Sequence, residues 1–235
     1  METGGRKATM RQDTRISAMD FETARTKMVD NQIRTTDVTR HDILRAFLQV
    51  PREEFVPASR RPLAYIDEDL SIGDGRYIME ASPFAKLLQL AAVTPDDVVL
   101  DVGCGSGYSS AILSHLAGSV VALEENVELA ALASENLTRL DYVTCVVVEG
   151  KLEEGYPSEA PYDVIVFEGA VERLPETFFE QLREGGRLVV VEGIGNAASA
   201  KLYFKDENGV VSDRFGFNCS VKPLPGFEKR RQFVF

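Results

Sequence analysis

The chain has 235 residues, 44% of them hydrophobic, which suits one α/β domain with a modest extension and a sizeable core. A net charge of −11 argues against a general nucleic-acid binder, because phosphate contacts need clustered Lys and Arg, and the basic run Lys229-Arg230-Arg231 reads as a solvated strand edge. Cys104, Cys145 and Cys219 are odd in number and far apart, and His41 and His115 are the only histidines, so neither a disulfide framework nor a metal site is indicated. With no apolar run of membrane-spanning length and no apolar signal core, the composition predicts a cytoplasmic protein with no membrane or nucleic-acid partner.

Residues 1–18 are polar and without period, and read as a disordered leader, with Met10 or Met19 as candidate natural starts. Residues 19–92 read as an N-terminal helical cap with a substrate loop, and residues 93–235 as an α/β core with C-terminal strands, the whole forming one structural domain. From Asp20 the apolar positions Phe21, Ala24, Met28 and Ile33 predict an amphipathic helix; Thr39 to Leu48 predicts a second, ended before Pro51. An irregular segment then runs to Asp67. In Ile72-Gly73-Asp74-Gly75-Arg76-Tyr77-Ile78-Met79 the glycines flanking an Asp predict a turn leading into a helix from Pro83 to Ala92, with Ser82 as its N-cap. A loop of this kind on the cap is where a substrate would meet a cofactor.

The apolar run Val98 to Val102 breaks into Gly103-Cys104-Gly105-Ser106-Gly107, and a helix is expected from Tyr108 to Leu113. Glycine lets a backbone turn sharply and still approach a bulky ligand, which would sit at that helix N-terminus. Counted from Gly103 as a Gly-x-Gly-x-x-Gly dinucleotide fingerprint, Tyr108 falls where the third glycine belongs; counted from Gly105, the small Ser110 falls there, so NAD stays open. The better match is the Asp-x-Gly-x-Gly-x-Gly loop of S-adenosylmethionine (SAM) methyltransferases, because Asp101 suits an ammonium group and repels a pyrophosphate. The next strand, Val120 to Glu124, ends in a carboxylate that can accept two ribose hydroxyls.

Beyond it the pattern predicts helix Asn126 to Leu137, strands Val143 to Val148 and Val164 to Phe167, helix Pro175 to Arg183 and strand Arg187 to Val191, a doubly wound parallel sheet. The tail predicts antiparallel edge strands: Ala200 to Phe204, the turn Asp206-Glu207-Asn208-Gly209, Val210 to Phe217 and a last run Gln232 to Phe235.

From about Met28 onward the chain resembles the protein-L-isoaspartate O-methyltransferases. The matching pieces include Met28-Val29 with Gln32-Ile33, Val50-Pro51-Arg52-Glu53 with Phe55-Val56-Pro57, Ala64-Tyr65 with Asp67, Ile72-Gly73 with Gly75, the glycine loop, Ala160-Pro161-Tyr162-Asp163, Gly185-Gly186-Arg187-Leu188-Val189 and Val221-Lys222-Pro223-Leu224. The resemblance implies an α/β class I SAM-dependent methyltransferase fold, a Rossmann-like doubly wound sheet with an N-terminal helical cap and antiparallel C-terminal edge strands. It implies SAM as cofactor and isoaspartyl proteins or peptides as substrates, whose abnormal side-chain carboxylate is methylated as the first step of repair. Cofactor contacts would fall on Ile78, Asp101, Gly103, Gly105, Gly107, Tyr108, Glu124 and Glu125, with Gly150, Lys151 and Leu152 standing where the family's Gly-Asp-Gly flanks the adenine.

The chain departs from that family after Gly73-x-Gly75, where the family reads Gln-Thr-Ile-Ser, its serine regarded as an active-site residue, and this chain reads Arg76-Tyr77-Ile78-Met79. The expected substrate pocket therefore holds Tyr77 and Met79, with Ser82 as a replacement donor and Glu80 and Glu168 as acids that, if they face the pocket, would repel a carboxylate or, partly buried with a raised pKa, serve as base for an amine or hydroxyl. An isoaspartyl carboxylate is itself ionised at pH 7 and needs mainly positioning and desolvation. Two other readings accompany this one: a different methyl acceptor, or a SAM-binding protein without isoaspartyl activity.

Overall fold

The structure is a computed structural model that describes residues 20–229, so the expected leader at 1–18 and the last run Gln232 to Phe235 lie outside the described residues. The chain enters a helix because the Asp20 side chain caps it, accepting from the Thr23 amide at 3.0 Å. That helix, α1 (Phe21–Met28), continues through a π turn at Val29–Ile33 and a 3-10 turn at Arg34–Thr36, and α2 (His41–Gln49) follows. The irregular segment beyond Pro51 is held by its own side chains. Arg25 donates to Glu53 at 3.0 Å and to the Tyr65 hydroxyl at 2.9 Å, while Gln32 donates to the Tyr65 carbonyl at 3.0 Å. Arg52, fully buried, donates to the carbonyls of Ala64 and Met79, both at 2.9 Å.

Where the sequence shows only a turn, the structure has a two-stranded antiparallel hairpin, β1 (Leu70–Gly73) and β2 (Arg76–Ile78). Strands of four and three residues are too short to display an alternating pattern. The helix after it, α3 (Ala81–Ala91), starts two residues earlier than expected. Glu80 is its N-cap residue, with no side-chain capping bond, so Ser82 lies inside the first turn and is not the cap.

The main sheet has seven strands in the order β5-β4-β3-β6-β7-β8-β9. They are β3 (Val98–Val102), β4 (Ser119–Glu124), β5 (Cys145–Glu149), β6 (Tyr162–Val171), β7 (Leu182–Glu192), β8 (Ser199–Lys205) and β9 (Val211–Asn218). The first five in this order pair in parallel, and β8 and β9 add antiparallel, giving the mostly parallel sheet of the class I methyltransferase fold with antiparallel edge strands. Between strands lie α4 (Tyr108–Leu113), α5 (Val127–Arg139) and α6 (Thr177–Glu180). The helix expected from Pro175 to Arg183 shrinks to four residues because Leu182 already belongs to β7. The Gln181 side chain there accepts from the Tyr156 amide and donates to the Glu154 carbonyl, at 2.8 and 2.9 Å.

Period-two alternation sends neighbouring residues of the parallel strands to opposite faces. Val99, Val120, Val164 and Val189 pack in one core with Met28, Phe47, Phe84 and Leu87, so the N-terminal helices and the sheet share an interior. Leu100, Val121, Ile165 and Leu188 form the other core with Leu152, Phe178 and Phe227. Among the described residues no helix is long and apolar enough to cross a membrane.

Arg187 of β7 locks α3 onto the sheet. It donates to the carbonyls of Ala91 at 2.6 Å and Ala92 at 3.0 Å and pairs with Asp97. Replacing Arg187 with Met strips these acceptors of a charged donor and should lower the unfolding free energy by about 2–4 kcal/mol, read from the midpoint of urea denaturation.

Candidate active site

The sheet reverses its strand order beside β3, with β4 and β5 on one side and β6 and β7 on the other, and open α/β sheets bind ligands at the carboxyl end of such a switch point. Three buried acids arrive there from three adjacent strands. Asp101 lies in β3 opposite Ala122 and Val166, Glu124 ends β4, and Glu168 stands two residues past Val166 in β6. The loop after β3 turns through Gly103 and Gly105 at φ 84° and 57°, a region that side chains with a Cβ disfavour. It is pinned to β4 by the amides of Gly103 and Cys104, which both donate to the Leu123 carbonyl, at 2.9 and 3.1 Å.

Each acid is handled differently. Glu124 is fully buried and filled with donors: Arg76 Nη1 at 2.8 Å and the amides of Gly105, Glu125 and Asn126 at 2.8, 3.0 and 3.1 Å. Asp101 accepts the hydroxyls of Ser109 and Ser110 on Oδ2 at 2.7 and 2.6 Å, while its buried Oδ1 has no partner. Burial outweighs the two hydroxyls and pushes its carboxyl up to about 6. Glu168 is buried beside it, and desolvation together with the Asp101 charge holds its carboxyl well above the usual range. The direction of the shift favours its neutral form over the carboxylate.

The remaining expected cofactor residues divide. Glu125 is exposed and contributes its amide to Glu124, and the Gly150 amide donates to the Glu124 carbonyl at 3.2 Å, so both border the acid. Ile78 is buried on the hairpin opposite Leu70. The Tyr108 ring turns the other way, edge-on to Phe47 and Phe55 and 4.8 Å from the Arg52 guanidinium, so it packs under the cap and only its backbone stands at the loop. Lys151 reaches solvent and pairs with Glu154 at 3.0 Å, and Leu152 is buried in the second core.

On the substrate side, Tyr77 is half-buried with the Lys222 ammonium 5.7 Å from its ring, and Met79 is buried. Glu80 is half-buried; its carboxyl is pushed up to about 7, first by burial and then by the charges of Asp67 and Asp69. The Ser82 hydroxyl donates to Thr36 Oγ1 at 3.0 Å, which ties α3 to the N-terminal helical segment. Two residues with a part in the site are not singled out by sequence reasoning: Arg76, visible only as a departure from Gln, and Lys222, visible only inside a matching stretch. Among the described residues no group of three or more His, Cys, Asp and Glu is arranged to hold a metal.

A guanidinium already satisfies the Glu124 carboxylate and the Gly103 carbonyl, and buried acceptor oxygens on Asp101 and Glu168 lack donors. The donor set thus calls for a ligand bearing cations and hydroxyls, which SAM is, with its ammonium, sulfonium and two ribose hydroxyls. A pyrophosphate at the same loop would meet the unpartnered Asp101 oxygen, which disfavours a dinucleotide there. Fold and site together define a class I SAM-dependent methyltransferase, with SAM as its cofactor.

Comparison with known proteins narrows the class. The protein-L-isoaspartate(D-aspartate) O-methyltransferase family model matches residues 23–226, and the chain belongs to that family. It is 41% identical to the protein-L-isoaspartate O-methyltransferase of Koribacter versatilis over 88% of this chain and 92% of that one. With the enzyme of the same name from Staphylothermus marinus it shares 37% identity over 88% and 96%. A solved protein-L-isoaspartate O-methyltransferase superposes with a TM-score of 0.74 at 28% identity over 86% of this chain, which spans 66% of that protein's length. A Plasmodium falciparum structure described as a complex with S-adenosyl-L-homocysteine shares the fold, with a TM-score of 0.72 at 20% identity, over 87% of this chain and 97% of that one.

The buried Glu168 makes stability depend on pH. Below its ordinary value of 4.5 the folded and unfolded chains both hold it protonated; as pH rises the unfolded chain ionises freely while the folded one resists, so stability is lost. Glu168→Gln should match wild type in Tm near pH 4.5 and exceed it at pH 8, by roughly 2–4 °C for each kcal/mol recovered. Differential scanning calorimetry at the two pH values checks this.

Proposed function

We propose that this chain transfers the methyl group of SAM to the carboxylate of isoaspartyl residues in damaged proteins or peptides, the first step of their repair, in the cytoplasm. The observation that carries the reading is the match to a relative of that name at 41% identity over 92% of the relative's length. SAM supplies an electrophilic methyl on its sulfonium. An isoaspartyl carboxylate is ionised at pH 7, so the chain's residues need only hold it in line and exclude water. We assign the cofactor side to residues 93–235 and the substrate side chiefly to the segment 19–92. Three free thiols, one of them buried, suit a reducing compartment.

We place the acceptor at the small hollow whose lining includes Asp69, Arg76, Tyr77, Met79, Glu168 and Lys222. Its chemistry answers the lost hydroxyls. Burial favours the protonated form of Glu168, which donates a hydrogen bond, and the exposed Lys222 ammonium supplies an attracting charge. The Lys222 backbone is set by its amide, which donates to Asp69 at 3.0 Å, while the other Asp69 oxygen accepts the Glu80 amide at 2.8 Å.

The test is methyl transfer from labelled SAM to an isoaspartyl peptide beside its ordinary aspartyl twin. Base-labile methyl ester should form on the first and not on the second; equal labelling of both, or none, would remove the reading. Lys222→Met should lower kcat/KM for the isoaspartyl peptide about 10- to 100-fold, the loss of one charged hydrogen bond, with the SAM dissociation constant unchanged.

A further inference from the structure

The hairpin carries a cation into the place where the cofactor reading seats a ligand. Arg76 is 5% exposed, although it sits on a strand of three residues that belongs to no larger sheet. Its Nη1 is 2.8 Å from Glu124 Oε1 and its Nη2 is 2.7 Å from the Gly103 carbonyl oxygen. Counting the three amides, Glu124 already accepts four hydrogen bonds, about the capacity of a carboxylate. Three of the four fall on Oε1, so that oxygen is closed to a ribose hydroxyl while Arg76 is there, and Oε2 accepts only the Gly105 amide.

The occlusion is steric as well. A Cβ on Gly103 would meet Arg76 Nη2 at 2.8 Å and Leu224 Cδ1 at 2.6 Å, and one on Gly105 would meet Ile72 Cδ1 at 2.7 Å. Side chains of the hairpin, with Leu224, thus fill the concave side of the loop, where the glycines would let a ligand approach. At the hairpin's tip, Gly73, Asp74 and Gly75 are exposed at positive φ, and the tip is tied to the neighbouring loop by a hydrogen bond from Asn126 to Asp74 at 3.2 Å.

We propose that Arg76 is a built-in competitor of SAM: its guanidinium occupies Glu124 and the Gly103 carbonyl in the free protein, and cofactor binding requires it to leave. The inference rests on the reading of Glu124 and the glycine loop as the cofactor's seat. The free protein keeps its buried acid neutralised, and the apparent affinity for SAM is reduced by the fraction of molecules in which Arg76 holds the site. Removing the guanidinium therefore tightens cofactor binding, the opposite of what loss of a ligand-contacting arginine would do.

The experiment is calorimetric titration of wild type, Arg76→Gln and Arg76→Lys with SAM and with S-adenosylhomocysteine, each at low and high salt. The expected order of affinity is Gln, then Lys, then Arg. Gln should bind at least about tenfold tighter than wild type, and Lys should fall between because a single ammonium cannot bridge both acceptors. In the free state Arg76→Gln should melt below wild type, since it leaves the buried Glu124 without its cation, and saturating SAM should raise its Tm by more than it raises that of wild type. Binding by the variant alone supports the proposal. Equal or weaker binding by Arg76→Gln, with wild type still binding, overturns it and leaves the cofactor reading intact. Binding by none of the three overturns the cofactor reading itself. If Arg76→Gln does not fold, Arg76→Lys decides by the same comparison with wild type.

Discussion

A carboxylate cannot be buried at low cost without a partner, and three carboxyl groups meet at the ends of β3, β4 and β6. The chain solves this three ways within one site. Glu124 is surrounded by amides and a guanidinium, Asp101 leans on two serine hydroxyls, and Glu168 is shifted toward its neutral form. Because all three solutions share neighbours, none is independent: Asp101 raises Glu168, and Arg76 counters the charges of both. The result is an acceptor-rich pocket poised for a cation, and the methyl donor of this enzyme class is one.

The parts of this site legible in the sequence are those whose chemistry is local. An apolar run that breaks into glycines after Asp101 states its own strand, loop and helix, and Glu124 follows as the end of the next apolar run. The hairpin was not legible, because seven strand residues hold too few alternations to register, and Arg76 meets Glu124 across 48 positions of chain. Ser82 misled for a related reason. A serine before a proline is a good cap by local rules, yet the helix begins at Ala81 and its hydroxyl is claimed by Thr36, 46 residues earlier. Glu168 could be placed from sequence but not its charge, which depends on burial against Asp101.

The segment before β3 shows how a resemblance becomes physics. Gln32, Arg52, Glu53 and Tyr65 are among the residues that carry the family likeness, and each is engaged in the network holding the irregular stretch. Arg25 and Tyr65 close on Glu53, Gln32 holds the Tyr65 backbone, and Arg52 joins Ala64 to Met79. A stretch with so little regular secondary structure has few backbone pairs of its own, so side chains must satisfy it. Met79 is thereby fixed from behind, which is how a cap segment presents a rigid wall to the pocket.

The shared interior of N-terminal helices and sheet bears on how the chain reaches this state. Helices synthesised first find their apolar partners on strands synthesised much later. Arg187 closes on Ala91 across 96 positions, and the Lys222 amide closes on Asp69 across 153. Ordering so many distant contacts is entropically slow, and the early helices must wait with Met28, Phe47 and Phe84 uncovered. The apolar faces of those helices therefore stay open to non-native contacts until the last strands of the sheet are in place.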